Sequence, residues 1–124
     1  MVNRILGEIR MYPWVDITIH TQAGSQSVRF IVDTGFDGEL AVPRSLSSMF
    51  GDSQDKRPTE YADGQQDLAS IASCTLDWVD GEREATVLCI GGSNPLIGME
   101  LLSDCLVTLE IEGIGGTITI EPNR

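Results

Sequence analysis

The sequence has a single histidine, His20, and three cysteines, Cys74, Cys89 and Cys105, none of them in a CxxC pair. That leaves no zinc constellation, and three widely spaced thiols read as free cysteines in a reducing cytoplasm. Basic residues are scarce: 8 Lys and Arg stand against 19 Asp and Glu, a net charge of −11. So acidic a chain is poorly suited to neutralising the phosphates of nucleic acid or an anionic membrane surface. No apolar run approaches the roughly 18 residues that span a bilayer. The opening MVNRILGEIR is interrupted by Glu8 and Arg10 and does not read as a signal peptide. The expected location is therefore cytoplasmic. Gly91-Gly92 and Gly113–Gly116 lack a following Lys-Ser/Thr, so they read as turns and not phosphate loops. Ser45, Ser47 and Ser48 sit in no GxSxG, and His20 would be their sole base, which leaves little for a serine hydrolase. His20 itself ends an alternating strand and is expected to face solvent. Nothing basic flanks Cys89 or Cys105, which argues against a thiolate nucleophile. No metal and no cofactor are expected.

At 124 residues, 41% hydrophobic and 22% charged, the chain reads as one globular domain, residues 1–124. One core fits in that length; two lobes do not. The dominant period is two. Val15, Ile17 and Ile19 alternate with Asp16, Thr18 and His20, predicting a strand with one wet face. Thr21 to Ser27 reads as a hairpin connection, and Val28–Val32 as a second strand that becomes continuously apolar at its end. Glu39–Val42 is a short strand stopped by Pro43, and Arg44 to Phe50 a helical turn or two. Asp63-Gly64 predicts a two-residue hairpin within Thr59–Ala72, and Asp80-Gly81 another between Ile71–Val79 and Glu84–Ile90. Met99–Leu102 predicts a short helix, and Leu106–Ile111 and Thr117–Ile120 two last strands around Gly113–Gly116. Trp14 and Trp78 lie on strand patterns and read as core or interface residues. Many short strands with little helix predict an all-β barrel or sandwich.

The informative segment is Phe30-Ile31-Val32-Asp33-Thr34-Gly35. A carboxylate directly after a buried run costs several kcal/mol unless it is paired, protonated or facing a cleft. Thr34 offers a hydroxyl and Gly35 permits close backbone approach, which suits a tight loop holding that carboxylate. An ordinary turn would also contain Asp and Gly, and such a tripeptide arises by chance in roughly a few per cent of chains this long. Downstream, however, Leu96-Ile97-Gly98 leads two apolar residues and a glycine into the predicted helix.

In that order, with the Asp63-Gly64 hairpin between them, FIVDTG and PLIGMELL resemble the retropepsin-like aspartic proteases, single-domain relatives of retroviral protease. The resemblance runs from about Val15 to Ile111. It implies an all-β fold, a small closed barrel of the acid-protease type with one short helix after Gly98. It implies an aspartic endopeptidase acting on peptide or protein substrates through a dyad formed by two Asp33 carboxylates in a homodimer. Asp33, Thr34 and Gly35 match the catalytic triplet, Thr34 being similar to the threonine that braces the partner's loop. Phe36 and Asp37 match substrate-contacting positions, and Ala62, Asp63, Gly64 and Gln65 match the tip of the flap that closes over a bound peptide. Leu96, Ile97 and Gly98 match the segment packed beneath the catalytic loop. Phe36 stands where the family usually has Ala or Ser, and it cannot hydrogen-bond the outer carboxylate oxygens as a serine can. A subset of bacterial and archaeal relatives is similar to this chain in reading DTGF-x-G followed by a strand and Pro, here Asp33 to Pro43. The alternative reading is a catalytically inactive dimer of the same fold that binds peptides or supports assembly.

Overall fold

The computed structural model describes residues 4–50, 56–60, 64 and 66–123. Its strands are β1 (Ile5–Arg10), β2 (Tyr12–Thr21), β3 (Gly24–Val32), β4 (Leu40–Pro43), β5 (Lys56–Glu60), β6 (Gln66–Trp78), β7 (Gly81–Ile90), β8 (Leu96–Ile97), β9 (Cys105–Glu112) and β10 (Gly115–Pro122). A 3-10 helix covers Arg44–Phe50, and one short helix, α1, covers Met99–Leu102. The strands follow the order β5-β6-β7-β4-β8-β3-β2-β1-β10-β9, and β6 also pairs with β2. That extra pairing closes β2, β6, β7, β4, β8 and β3 into a six-stranded barrel. The fold is all-β and closed, with the one α-helix among the described residues directly after Gly98.

Alternation decides what fills the barrel. Val15, Ile17 and Ile19 of β2 point inward and are at most 2% exposed. Phe30, Leu40, Leu76, Trp78, Val87, Ile97 and Leu101 complete the same core. Burial of these side chains, each contributing about 1.5–3 kcal/mol, is what holds the barrel closed. Trp78 is part of that core, whereas Trp14 is half-buried on the outside, under the Arg29 guanidinium 5.4 Å from its ring centre. Arg29 also pairs with Glu8, tying β3 to β1.

Several boundaries differ from the sequence expectation, each for a physical reason. The β2–β3 turn is only Gln22-Ala23, because Thr21 pairs with Gly24 and residues 24–27 continue the ladder. The β6–β7 turn is Val79-Asp80, with Gly81 already paired to Trp78 at a φ of 114°. β5 and β6 pair antiparallel from Lys56↔Ser70 to Glu60↔Gln66, and the turn expected at Asp63-Gly64 lies outside the described residues except for Gly64. Gly113-Ile114 forms the β9–β10 turn, with Gly113 at a φ of 65°, as a two-residue hairpin with glycine first requires. Gly115 and Gly116 lie within β10, and a Cβ on Gly116 would sit 1.9 Å from the Glu110 carbonyl oxygen. β1 has no counterpart in the sequence reading; it adds to β2 on one side and β10 on the other.

Candidate active site

β3 delivers Asp33 to the end of the barrel. Phe30, Ile31 and Val32 are all buried because β3 lies between β2 and β8 and is covered on both faces. Ile31 pairs with Leu96 and Val32 with Ile97 in the parallel β3–β8 ladder. The ladder runs one step further: the Asp33 N–H donates to the Ile97 carbonyl at 2.9 Å. The chain then turns sharply, with the Phe36 N–H donating to the Asp33 carbonyl at 3.2 Å. Asp33 Oδ1 accepts the Gly35 N–H at 2.9 Å, so the carboxylate is oriented by the turn that follows it.

Gly98 locks this turn to α1. Met99 donates its N–H to the Phe36 carbonyl (2.8 Å), Glu100 to the Gly38 carbonyl (3.1 Å), and Gly98 to the Glu39 carbonyl (2.9 Å). These are the N–H groups a helix start leaves without partners, and Gly98 has no side chain to cap them. The Asp33–Glu39 loop supplies the acceptors. No larger residue fits at 98: a Cβ would lie 2.3 Å from the Gly38 carbonyl oxygen and 2.6 Å from the Phe36 ring. Phe36 itself packs with Ala41, Ala69, Leu88 and Ile90, a small apolar cluster separate from the barrel core.

Beside the turn lies a cavity of about 530 Å³. Asp33 and Thr34 form part of its wall with Ile31, Val32, Ala41, Ile90 and Leu96, and the loop Gly91–Asn94 forms a second part. Tyr12, Pro13, Val107, Leu109 and Ile118, contributed by β2, β9 and β10, line the remainder. The cavity therefore sets one carboxylate, that of Asp33, with the hydroxyls of Thr34, Tyr12 and Ser93 and the Asn94 amide among mostly apolar side chains, the mix of apolar wall and a few polar groups that binding sites use.

Of the residues singled out in the sequence, Asp33, Thr34 and Leu96 share this cavity, and Phe36 and Gly98 meet behind the turn. Ile97 is fully buried. Asp33 is half-buried, while Thr34, Gly35 and Asp37 are exposed. Gly64 is exposed at a φ of 86° and does not line the cavity. Ala62, Asp63 and Gln65 lie outside the described residues.

Sequence reasoning missed Glu39. Its side chain accepts the Thr86 N–H through Oε1 (2.9 Å) and Arg83 Nη2 through Oε2 (3.1 Å), while its carbonyl holds Gly98. It thereby ties the Asp33 loop to β7. An acid immediately before the apolar run Leu40-Ala41-Val42 is the one signal that could have found it.

His20 also differs from expectation. It is half-buried, with Nδ1 2.8 Å from Ser25 Oγ and Nε2 2.7 Å from Asp77 Oδ1. Its pKa is raised above 6.5, chiefly by the hydrogen bond to Asp77, with the charges of Asp77 and Glu82 adding and burial opposing. His20 lines a second cavity with Thr21 and Gln26, whereas Ser25 lines neither that cavity nor the one beside Asp33, and the Ser25–His20–Asp77 row has the form of a structural clamp. No disulfide joins the three cysteines. Burial pushes the Cys74 thiol up to about 12 and raises Cys105, which keeps both protonated and unreactive.

Taken together, the closed barrel and the glycine-locked turn define the retropepsin-like fold. A crystal structure of a retropepsin-like aspartic protease from Rickettsia conorii superposes with a TM-score of 0.55 at 16% identity, covering 94% of both chains. A solution structure of Simian Foamy Virus (mac) protease gives a TM-score of 0.48 at 12% identity, covering 71% of this chain and 91% of that one. No protein-family model matches the sequence, and no curated protein matches it. No helix among the described residues is long and apolar enough to cross a membrane.

Proposed function

We propose that the chain is an aspartic endopeptidase whose active site pairs Asp33 of two copies. The observation that supports this most directly is the placement of Asp33: a carboxylate fixed by a backbone-bonded turn, at the wall of an apolar cavity, on a retropepsin-like barrel. Hydrolysing a peptide by this route needs one group to take a proton from water and another to give one to the carbonyl oxygen. Two carboxylates about 3 Å apart share a proton and titrate as a pair, so one serves as base and the other as acid. Water attacks directly, and no covalent enzyme intermediate forms. Thr34 and Gly35 belong to the same turn, Phe36 and Asp37 would meet substrate beside it, and the 62–65 segment would cover it. Leu96, Ile97 and Gly98 hold the turn from behind.

One observation favours a second reading, a non-catalytic dimer that binds peptides. Phe36 turns its ring onto Gly38 and Gly98 and offers Asp33 no hydroxyl. The two readings separate on one experiment: cleavage of a peptide library between about pH 3 and 7 by wild type and Asp33→Asn, with the assembly state of each measured by sedimentation. Cleavage by wild type that is lost in a dimeric Asp33→Asn supports the peptidase. A wild-type dimer that binds library peptides without cutting them supports the second reading. Cleavage that survives Asp33→Asn rules out Asp33 as the catalytic group.

A further inference from the structure

Two acids face each other on the outside of the barrel. Asp77 of β6 and Glu82 of β7 are directly opposite in the antiparallel ladder and share a face of the sheet, a placement that like charges disfavour. Leu76, beside Asp77 in the chain, is fully buried, so Asp77 and Glu82 lie on the outer face. The nearest base in sequence does not relieve them: Arg83 stands opposite Leu76, on the other face, and its guanidinium pairs with Glu39. What approaches instead is His20 of β2, which pairs with Thr75 where β2 meets β6. His20 Nε2 is 2.7 Å from Asp77 Oδ1 and 3.6 Å from Glu82 Oε1. Nδ1, the other ring nitrogen, is 2.8 Å from Ser25 Oγ. One imidazole nitrogen thus points at two carboxylates, an arrangement that calls for a positive charge between them. A proton on Nε2 serves only part of it: the hydrogen bond goes to Asp77, 3.6 Å is too long for a second one to Glu82, and the two acids stay opposed. A divalent cation serves all three groups at once.

We propose that His20 Nε2, Asp77 and Glu82 bind a zinc ion that bolts β2 to β6 and β7. The three ligand atoms already lie within 4.8 Å of one another. Tetrahedral bonds of about 2.0–2.2 Å would set them about 3.4 Å apart, so binding needs only small side-chain shifts. Glu82 can supply most of that movement, since its side chain is 67% exposed, and the fourth position is left to water. The donor set selects the metal. An imidazole nitrogen with two carboxylates suits zinc, whereas magnesium and calcium favour oxygen ligands throughout. Ser25 completes the arrangement: accepting the Nδ1–H, it keeps the Nε2 lone pair turned toward the ion, as the outer partner of a ligating histidine does. The sequence hides the site because Asp77 lies 57 residues from His20. The ligands come from three strands at the junction of only two residue pairs that closes the barrel, so the ion would stabilise the fold there. With no ion bound, the His20 proton holds the same seam through Asp77 alone. None of the three residues lines the Asp33 cavity, and the site stands or falls independently of the peptidase reading.

Calorimetric titration of chelator-treated protein with zinc chloride tests the site. Wild type should take up zinc saturably, one ion per chain, and its melting temperature should rise with added zinc and fall back with EDTA. Ser25→Ala should weaken the affinity about 10–100-fold, the usual cost of losing a ligand's outer partner, and His20→Gln at least as much. Glu82→Gln is the sharper variant, because Glu82 is outside the hydrogen-bonded row from Ser25 to Asp77. Its metal-free melting temperature should match that of wild type while its zinc affinity falls at least 10-fold. Cobalt in place of zinc should give the visible absorption of a tetrahedral nitrogen and oxygen site, without the sulfur-to-metal charge transfer that the cysteines would produce. The site is overturned if no saturable uptake occurs, or if zinc binds Glu82→Gln and His20→Gln as tightly as wild type. A thiolate-type cobalt spectrum, or magnesium that binds as tightly as zinc, overturns it equally.

Discussion

The Asp33 turn and the His20 cluster both set a titratable group beside a cavity, and they are built in opposite ways. Backbone groups hold Asp33: the Ile97 carbonyl, the Gly35 N–H, and a loop whose carbonyls cap α1. Side chains hold His20, one on each ring nitrogen. Those partners lie beside it in the sheet, Ser25 opposite it across β2–β3 and Asp77 two residues beyond Thr75, which it pairs with across β2–β6. The histidine's bonding capacity is thus met within the chain, as in a structural clamp. The aspartate faces a largely apolar wall, and in the proposed dyad its proton-transfer partner would come from a second copy. A group satisfied by its own fold stabilises that fold; a group positioned by backbone and left facing a cavity is available for chemistry.

The largest test of that contrast compares Asp33→Asn with His20→Gln. The first should lower kcat by at least about 100-fold with little change in melting temperature, since general acid–base groups contribute roughly 10²–10⁴-fold. The second should leave kcat within about twofold of wild type and act on stability alone. Peptidase assays on the two purified variants decide it, and a His20→Gln protein that loses cleavage while keeping its melting temperature would erase the distinction.

Gly98→Ala tests the claim that backbone packing holds the Asp33 turn. A methyl group placed 2.3 Å from the Gly38 carbonyl oxygen forces the loop and α1 apart. Overpacking of this kind costs about 3 kcal/mol, the upper end of its usual range, because backbone and not a flexible side chain must move. Urea denaturation should show the loss with an unchanged slope. A smaller effect is expected at Glu39→Ala, about 2 kcal/mol, because the Thr86 N–H loses its acceptor and Arg83 its partner. Glu39→Gln keeps an acceptor for Thr86 and should recover about half of that loss, which denaturation of the two variants side by side would show.

The parts of this molecule that are legible in the sequence are those encoded by neighbours in the chain. Val15, Ile17 and Ile19 declare a half-buried strand by alternation; the run Phe30-Ile31-Val32 declares a strand buried on both faces, and all three side chains are buried, with β8 paired alongside. Met99–Leu102 is a helix in both readings. What stays hidden depends on residues far apart. β1 escapes because exposed Leu6 and Gly7 blur its alternation, and its partners β2 and β10 sit at opposite ends of the chain. His20 reads as solvent-facing because Asp77, its stronger partner, lies 57 residues away. Glu39 reads as a strand start because nothing local tells that Arg83 and Thr86 come to meet it. The cavity escapes for the same reason: Tyr12, Leu109 and Asp33 converge only once the barrel is closed.

The finest test of the contrast is a pH dependence that His20 should show in stability. Its folded pKa lies above the ordinary 6.5, because the protonated ring donates to Asp77 and feels the charges of Asp77 and Glu82, against a smaller opposing effect of burial. A group whose pKa rises on folding stabilises the fold in its protonated form. The contribution is therefore complete below about pH 6.5, where the unfolded chain is protonated too, and it fades as pH rises through the higher folded value. The clamp sits where β2 meets β6, a junction of only two residue pairs, Ile19↔Leu76 and His20↔Thr75, that closes the barrel. Weakening it should lower the melting temperature of wild type from mildly acidic to alkaline pH. His20→Gln, and equally Asp77→Asn, should flatten that part of the profile. A His20→Gln curve that keeps the wild-type slope would mean that the row from Ser25 to Asp77 does not help to hold the barrel shut.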